Sequence, residues 1–170
     1  MCGISGNISK NLINLDFNKK ASLKQNHRGP DFFNYHTEKI FNTNVYLAHN
    51  RLSIIDLSDV SNQPFYSPCG NIKLIFNGEI YNFDDLKRTI LKNEIFVTSS
   101  DTEVLLKLWI LFGEKLVDYI KGMFSFVITD SRLGVSYLYR DHFGIKPLFY
   151  SFKDDTFLFA SDIIYINSIQ

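Results

Sequence analysis

Short runs of β-branched, aromatic and aliphatic residues recur at residues 4–8, 45–48, 72–76, 124–129, 135–139, 148–152 and 157–160, each of strand length. The last four are joined in pairs by Asp-Ser-Arg-Leu-Gly and Lys-Asp-Asp-Thr, connections of hairpin length that predict an antiparallel meander. Helical spacing occupies residues 17–26, 83–92 and 102–112, with a fainter turn at 115–120. In the third helix Val104, Leu105, Leu108, Trp109 and Phe112 share one face, and Leu106, Ile110 and Leu111 extend the apolar surface around the cylinder, so it is expected to be buried on most sides. Strands apolar on both faces beside well-buried helices predict sheets covered by helices, an α+β domain of stacked layers. Residues 56–71, dense in Ser, Asp, Asn, Pro and Gly, read as a long surface loop.

Length and composition narrow the classes. At 170 residues, one domain spanning 1–170 is expected. Eighteen basic and eighteen acidic residues cancel, which removes the electrostatic footprint of a nucleic-acid binder and of a membrane-surface patch. A hydrophobic fraction of 45%, with 16 Phe and 9 Tyr, is far too much buriable surface for a disordered chain. No apolar run approaches the ~20 residues of a membrane-spanning helix, and the Met-Cys-Gly-Ile start lacks the pattern of a secretory leader, so a cytoplasmic location is expected. Cys2 and Cys69 are then expected as free thiols.

Candidate chemistry is ambiguous residue by residue. Cys2 reads either as a small buried thiol or, once Met1 is excised, as a nucleophile whose own α-amine serves as base. Asn77-Gly78 reads either as a type I′ hairpin turn or as a pair of donors aimed at one developing negative charge. Asp101 lies within Ser100-Asp101-Thr102-Glu103, where Ser100 and Glu103 have capping-box spacing and a first-turn carboxylate suits the helix dipole. Arg51, beside His49 near a strand end, reads as a solvated surface group, and His27, Arg28 and Asp31 as a cationic cap ahead of a Gly-Pro break. The chain lacks G-x-x-x-x-G-K-[ST], G-x-G-x-x-G, C-x-x-C and H-E-x-x-H, so nucleotide, redox and zinc chemistries have no local support.

The segments MCGISG (1–6), HRGPD (27–31), AHNRLSIID (48–56), QP (63–64), NGEIYN (77–82), SDTE (100–103), GMFSFVITD (122–130), RDHFGIKPLFY (140–150) and FASD (159–162) occur in order along the whole chain. In these the sequence resembles the N-terminal glutaminase domain, a class II glutamine amidotransferase, of the asparagine synthetases. The resemblance implies an N-terminal-nucleophile αββα sandwich of two antiparallel sheets. It makes Cys2 the nucleophile, with its α-amine as general base, and Asn77 and Gly78 the oxyanion hole. Arg51 would hold the α-carboxylate of L-glutamine, Glu79 and Asp101 its α-ammonium, and backbone around Leu52, Ile54 and Ile55 would line the pocket.

The implied reaction is hydrolysis of glutamine to glutamate and ammonia, with the ammonia passed through an internal channel to an ATP-dependent synthetase domain acting in cis or in trans on aspartate. No cofactor or metal is implied for the glutaminase domain itself; ATP and Mg belong to the synthetase domain, whose Gly-rich pyrophosphate loop is not among these residues. The chain departs from the family's usual pattern at residues 92–95, 61–62 and 162–164, all in loops or at the domain end. A glutamine-binding regulatory module, or an amidotransferase feeding another acceptor such as a sugar carboxylate, is the alternative reading.

Overall fold

A computed structural model describes residues 1–170. In chain order the elements are β1 (Gly3–Ser9), α1 (Leu15–Leu23), β2 (Phe32–Ile40), β3 (Thr43–Arg51), β4 (Phe65–Tyr66), β5 (Ile72–Ile80), α2 (Phe83–Arg88), α3 (Asp101–Phe112), β6 (Gly122–Asp130), β7 (Val135–Arg140), β8 (Phe149–Lys153), β9 (Thr156–Ala160) and α4 (Ile163–Ile169), with 3₁₀ turns at Asp59–Ser61 and Gly113–Asp118. The strands form two antiparallel sheets, ordered β2-β3-β1-β9-β8 and β4-β5-β6-β7.

Strand alternation sorts the apolar side chains into three layers. Ile75 of β5 and Val127 of β6 meet Ile4, Leu47 and Phe159 between the sheets. Leu74, Phe76 and Ile80 point the other way, against Leu86 of α2 and Val104, Leu105, Leu108 and Trp109 of α3. On the outer face of the five-stranded sheet, Tyr46, Ala48, Leu158 and Ala160 pack on Ala21 of α1 and on Tyr165 and Ile166 of α4. Helix, sheet, sheet and helix therefore stack as four layers, the αββα order the resemblance implies. Burial of each large side chain in these layers contributes about 1.5–3 kcal/mol.

Each of the seven expected strands forms, and three helices occupy their expected segments with shifted ends. The meander does not form: β6 and β7 pair in one sheet while β8 and β9 pair in the other, so residues 141–148 cross between sheets. β2 escaped the sequence reading because it is an edge strand, mostly half-buried and polar at several positions. Asn77-Gly78 is no hairpin; both residues lie inside β5, paired with Ser125 and Phe124. Residues 56–71 are more than a surface loop, since they include β4 and bury Ser61, Gln63, Phe65 and Ser67.

Only half of the expected capping box is made. Ser100 Oγ accepts the Glu103 N–H at 3.4 Å, but the Glu103 carboxylate accepts from Val97 N, Thr98 N and the Thr98 hydroxyl instead of returning to Ser100. That arrangement secures the turn from which α3, and with it Asp101, departs.

Candidate active site

The period of two brings the site together. On β3, Val45 and Leu47 face the space between the sheets, and His49 and Arg51 continue that face. On β5, Ile75 faces it too, and so does Asn77 two residues on. On β1, Ile4 faces it, and Cys2 precedes Ile4 by two. Gly3 pairs with Asn50, so Cys2 begins its strand beside the point where β3 ends. His49, fully buried, ties the two sheets at this end through Nε2 to the Phe76 carbonyl at 3.1 Å. Burial takes its pKa down to about 3, so this imidazole is neutral.

A cavity of about 130 Å³ opens here, and all nine residues implied by the resemblance line it: Cys2, Arg51, Leu52, Ile54, Ile55, Asn77, Gly78, Glu79 and Asp101. Arg51 is 7% exposed and Asp101 4%. The surface reading of Arg51 is thus corrected: its guanidinium is covered by the 56–62 segment, donating to the carbonyls of Asp56 and Ser58 and to Asn62 Oδ1. None of the ion pairs of the chain includes Arg51 or Asp101. A buried charge without a counter-ion is costly, and here one of each sign faces the same cavity. Asp101 Oδ2 accepts the Ile80 N–H at 3.0 Å. Its desolvation outweighs that bond and pushes its pKa up to about 6. Glu79 is exposed, as are Ile54 and Ile55.

Two donors are available to one oxygen. Asn77 is 1% exposed, and its Nδ2 has no hydrogen-bond partner. Gly78 follows from the ladder. Its partner Phe124 accepts the Asp141 N–H at its carbonyl and donates its own N–H to Asp141 Oδ2, both on the side away from β5, which makes Gly78–Phe124 a non-hydrogen-bonded pair. The neighbouring N–H groups of the same parity, Phe76 and Ile80, donate to Gln63 Oε1 and Asp101 Oδ2 outside the sheet. The Gly78 N–H therefore points to that same edge, which β4 covers only as far as Leu74. A side chain at 78 has no room: a Cβ would lie 2.4 Å from the Met123 carbonyl oxygen.

The Cys2 thiol rests on Leu52, with the Leu52 N–H 3.4 Å from Sγ and the Leu52 carbonyl at 3.6 Å. Burial pushes the thiol pKa up, opposed by the Leu52 backbone bond and the nearby positive charges. Met1 also lines the cavity, and while it is attached the Cys2 nitrogen is a peptide nitrogen without basicity. Arg28 is not the helix cap expected from its position; its Nε donates to the Cys2 carbonyl at 3.1 Å. Sequence reading passed over Asp56, Ser61, Thr102, Met123 and Lys146, which also line the cavity. Asp56, Thr102, Met123 and Lys146 lay within quoted motifs, the signal by which they were findable; Ser61 did not. No group of three or more His, Cys, Asp or Glu side chains is arranged to hold a metal ion.

A family model described as the glutamine amidotransferase domain matches residues 1–169, and the chain belongs to that family. Among its relatives it is 40% identical, over 168 residues, to asparagine synthetase (glutamine-hydrolyzing) 2 of Bacillus subtilis (strain 168), covering 96% of this chain and 22% of that protein. It is 38% identical to the asparagine synthetase (glutamine-hydrolyzing) of Zea mays, covering 96% of this chain and 28% of the maize protein. Amidase chry2 of Gibberella zeae is 37% identical over 139 residues, 81% of this chain and 20% of that protein. The chain thus spans under a third of each of these three relatives. The glutamine phosphoribosylpyrophosphate amidotransferase of B. subtilis shares the fold, with a TM-score of 0.81 at 20% identity over 99% of this chain and 43% of that one. No helix is long and apolar enough to cross a membrane.

Proposed function

We propose that the chain hydrolyses L-glutamine through Cys2 and delivers the ammonia to an amide-forming partner domain. The observation that carries this reading is the pair of buried, unpaired charges, Arg51 and Asp101, lining the same cavity as the Cys2 thiol. A free α-amino acid brings the two missing counter-ions on one carbon, and fixing both orients its side-chain amide toward the thiol. Arg51 takes the α-carboxylate, Asp101 the α-ammonium from within, and Glu79 supplements it at the mouth.

With Met1 removed, the α-amine of Cys2 accepts the thiol proton, and sulfur forms a bond to the amide carbon. The oxyanion that results is held by Asn77 Nδ2, which has no partner in the ligand-free chain, and by the Gly78 N–H. Collapse breaks the carbon–nitrogen bond; the α-ammonium returns the proton, so ammonia leaves and a thioester remains. Water then cleaves the thioester, releasing glutamate and restoring the thiol. The acceptor is proposed to be aspartate, activated by ATP and Mg on a synthetase domain in cis or in trans, because the relatives of Bacillus and maize are named as asparagine synthetases. A cytoplasmic setting accords with two free cysteines.

The test is glutamate release from glutamine by a preparation whose intact mass lacks Met1, beside the same preparation carrying Cys2→Ala. Release from the first and none from the second is expected. Equal release from both would remove Cys2 as nucleophile.

A further inference from the structure

Arg51 and Asp101 belong to different segments, and their separation is what a zwitterionic ligand measures. Arg51 ends β3, and the guanidinium is gripped by the carbonyls of the segment that follows it. Asp101 begins α3, two residues after Ser99. Between them lies Asp56, whose carboxylate turns both ways. Its Oδ1 accepts the Ser58 N–H at 2.9 Å and the Ser58 hydroxyl. Its Oδ2 accepts both the N–H and the hydroxyl of Ser99, each at 2.9 Å. The Asp56 carbonyl, meanwhile, is one of the acceptors of the Arg51 guanidinium. One residue is therefore bonded through its backbone to the cation of the pocket and through its side chain to the turn that launches the anion.

We propose that Asp56 is a positioning residue that sets the distance between the α-carboxylate and α-ammonium sites, so that a free α-amino acid amide fits while the reacting groups stay independent of it. This rests on the glutaminase reading. The carboxylate is held in its ionised form, below the usual carboxylate range, chiefly by the Ser58 hydroxyl. The reacting groups are placed otherwise: Cys2 adjoins β1, and Asn77 and Gly78 are fixed in the β5–β6 ladder. Loss of the tether frees residues 54–62 and with them the Arg51 guanidinium, while Leu52, on which the thiol rests, stays anchored next door by the Ser53 N–H donating to Asp31 Oδ2 at 2.8 Å; ligand capture suffers while chemistry on captured substrate does not.

The experiment compares the Met1-free chain with D56A, D56N, S99A and the D56A/S99A double variant in glutamine hydrolysis. D56A is expected to raise KM about tenfold or more while kcat stays within about threefold. S99A, which trims an exposed hydroxyl and leaves the fold alone, is expected to raise KM about threefold, and the double variant to match D56A within about twofold because the two act through one contact. D56N, which keeps one acceptor oxygen, is expected to recover part of the loss. A D56A KM within about twofold of wild type, a kcat that falls as far as KM rises, or multiplying effects in the double variant overturns the proposal. If D56A fails to fold, S99A decides: an unchanged KM overturns it. A wild-type chain that neither hydrolyses nor binds glutamine sinks the glutaminase reading instead. The tether is then judged by amide hydrogen exchange at Ser99 and Ser58, expected to quicken about tenfold in D56A. Unchanged exchange overturns the tether.

Discussion

Asp101 Oδ2 accepts the N–H of Ile80 at 3.0 Å, so the first residue of α3 is fastened to the strand that carries Asn77 and Gly78. The fastening holds a carboxylate largely out of water, at 4% exposure on the cavity wall. With its pKa at about 6 in the folded chain, against ~3.9 for a free aspartate, the folded state binds the proton more tightly than the unfolded state. Stability therefore declines as pH rises through that interval, and the full penalty is present above about pH 6. Asp101→Asn keeps an acceptor for Ile80 but removes the charge. It is expected to stabilise the ligand-free chain at pH 7 by on the order of 1–3 kcal/mol, with the gain gone near pH 4, as thermal melts at the two pH values would register. The same variant is expected to lose glutamine affinity, and wild-type KM to climb as pH drops below about 6. A variant less stable than wild type at pH 7 would contradict the burial argument.

Asn77 offers the opposite balance. Its Nδ2 has no partner in the ligand-free chain, so its removal forfeits little that holds the fold together. Asn77→Ala is expected to lower kcat by about 10²–10³, the 2.7–4 kcal/mol of one oxyanion donor, with KM little changed. Steady-state kinetics on the Met1-free chain measures both constants. An unaltered kcat would strip Asn77 of that role.

The strands were legible where the chain makes both faces of a strand apolar. β5 and β6 bury Leu74 and Phe126 under helices and Ile75 and Val127 between sheets, and such runs announce themselves. β2 did not, because an edge strand at the rim is free to carry Asn34, His36, Glu38 and Lys39. The crossing of residues 141–148 between sheets was hidden because two hairpins read alike whether or not they share a sheet. Within the site, local chemistry gave Asp101 a helix-start role and Arg51 a surface role; only the resemblance joined them to Cys2. The helix-start position and the cavity position of Asp101 turn out to be compatible, since Ser100 does the capping. The Asp56–Ser99 bond spans 43 residues, and nothing local marks it.

Gly78 lines the cavity and Gly3 follows the thiol residue in the chain, and the two are expected to tolerate change differently. A Cβ at Gly78 would meet the Met123 carbonyl oxygen of β6 at 2.4 Å and the Phe76 ring at 2.6 Å, and β6 is paired with β5 from Ile72 to Ile80, so neither strand can give way. Gly78→Ala is expected to destabilise the chain by about 2 kcal/mol or more. At Gly3 the nearest atom, Gln25 Cβ, is 3.4 Å away, an ordinary contact, so Gly3→Ala should change stability by under about 1 kcal/mol. Urea midpoints with unchanged slopes compare the two; equal losses would mean that the steric account of Gly78 is wrong.

The two thiols are expected to react in an order that reports the state of the N-terminus. Cys69 is exposed, and the Ser67 hydroxyl 3.4 Å from its sulfur is the leading influence drawing its pKa down. Cys2 is pushed up by burial. The thiolate is the reactive form, so with Met1 attached iodoacetamide at pH 7.5 is expected to label Cys69 first and Cys2 about tenfold more slowly or worse. Excision of Met1 places an α-ammonium of pKa ~7.7–8.0 on the same residue as the Cys2 thiol, and a cation there favours the thiolate. Cys2 labelling in a Cys69→Ser background is therefore expected to quicken by about tenfold once Met1 is gone, and prior binding of glutamine to slow it again. Peptide mass mapping over a time course follows both thiols. Equal Cys2 rates with and without Met1 would mean that the α-amine does not reach the thiol, and the base for the proposed reaction would have to be sought elsewhere in the cavity.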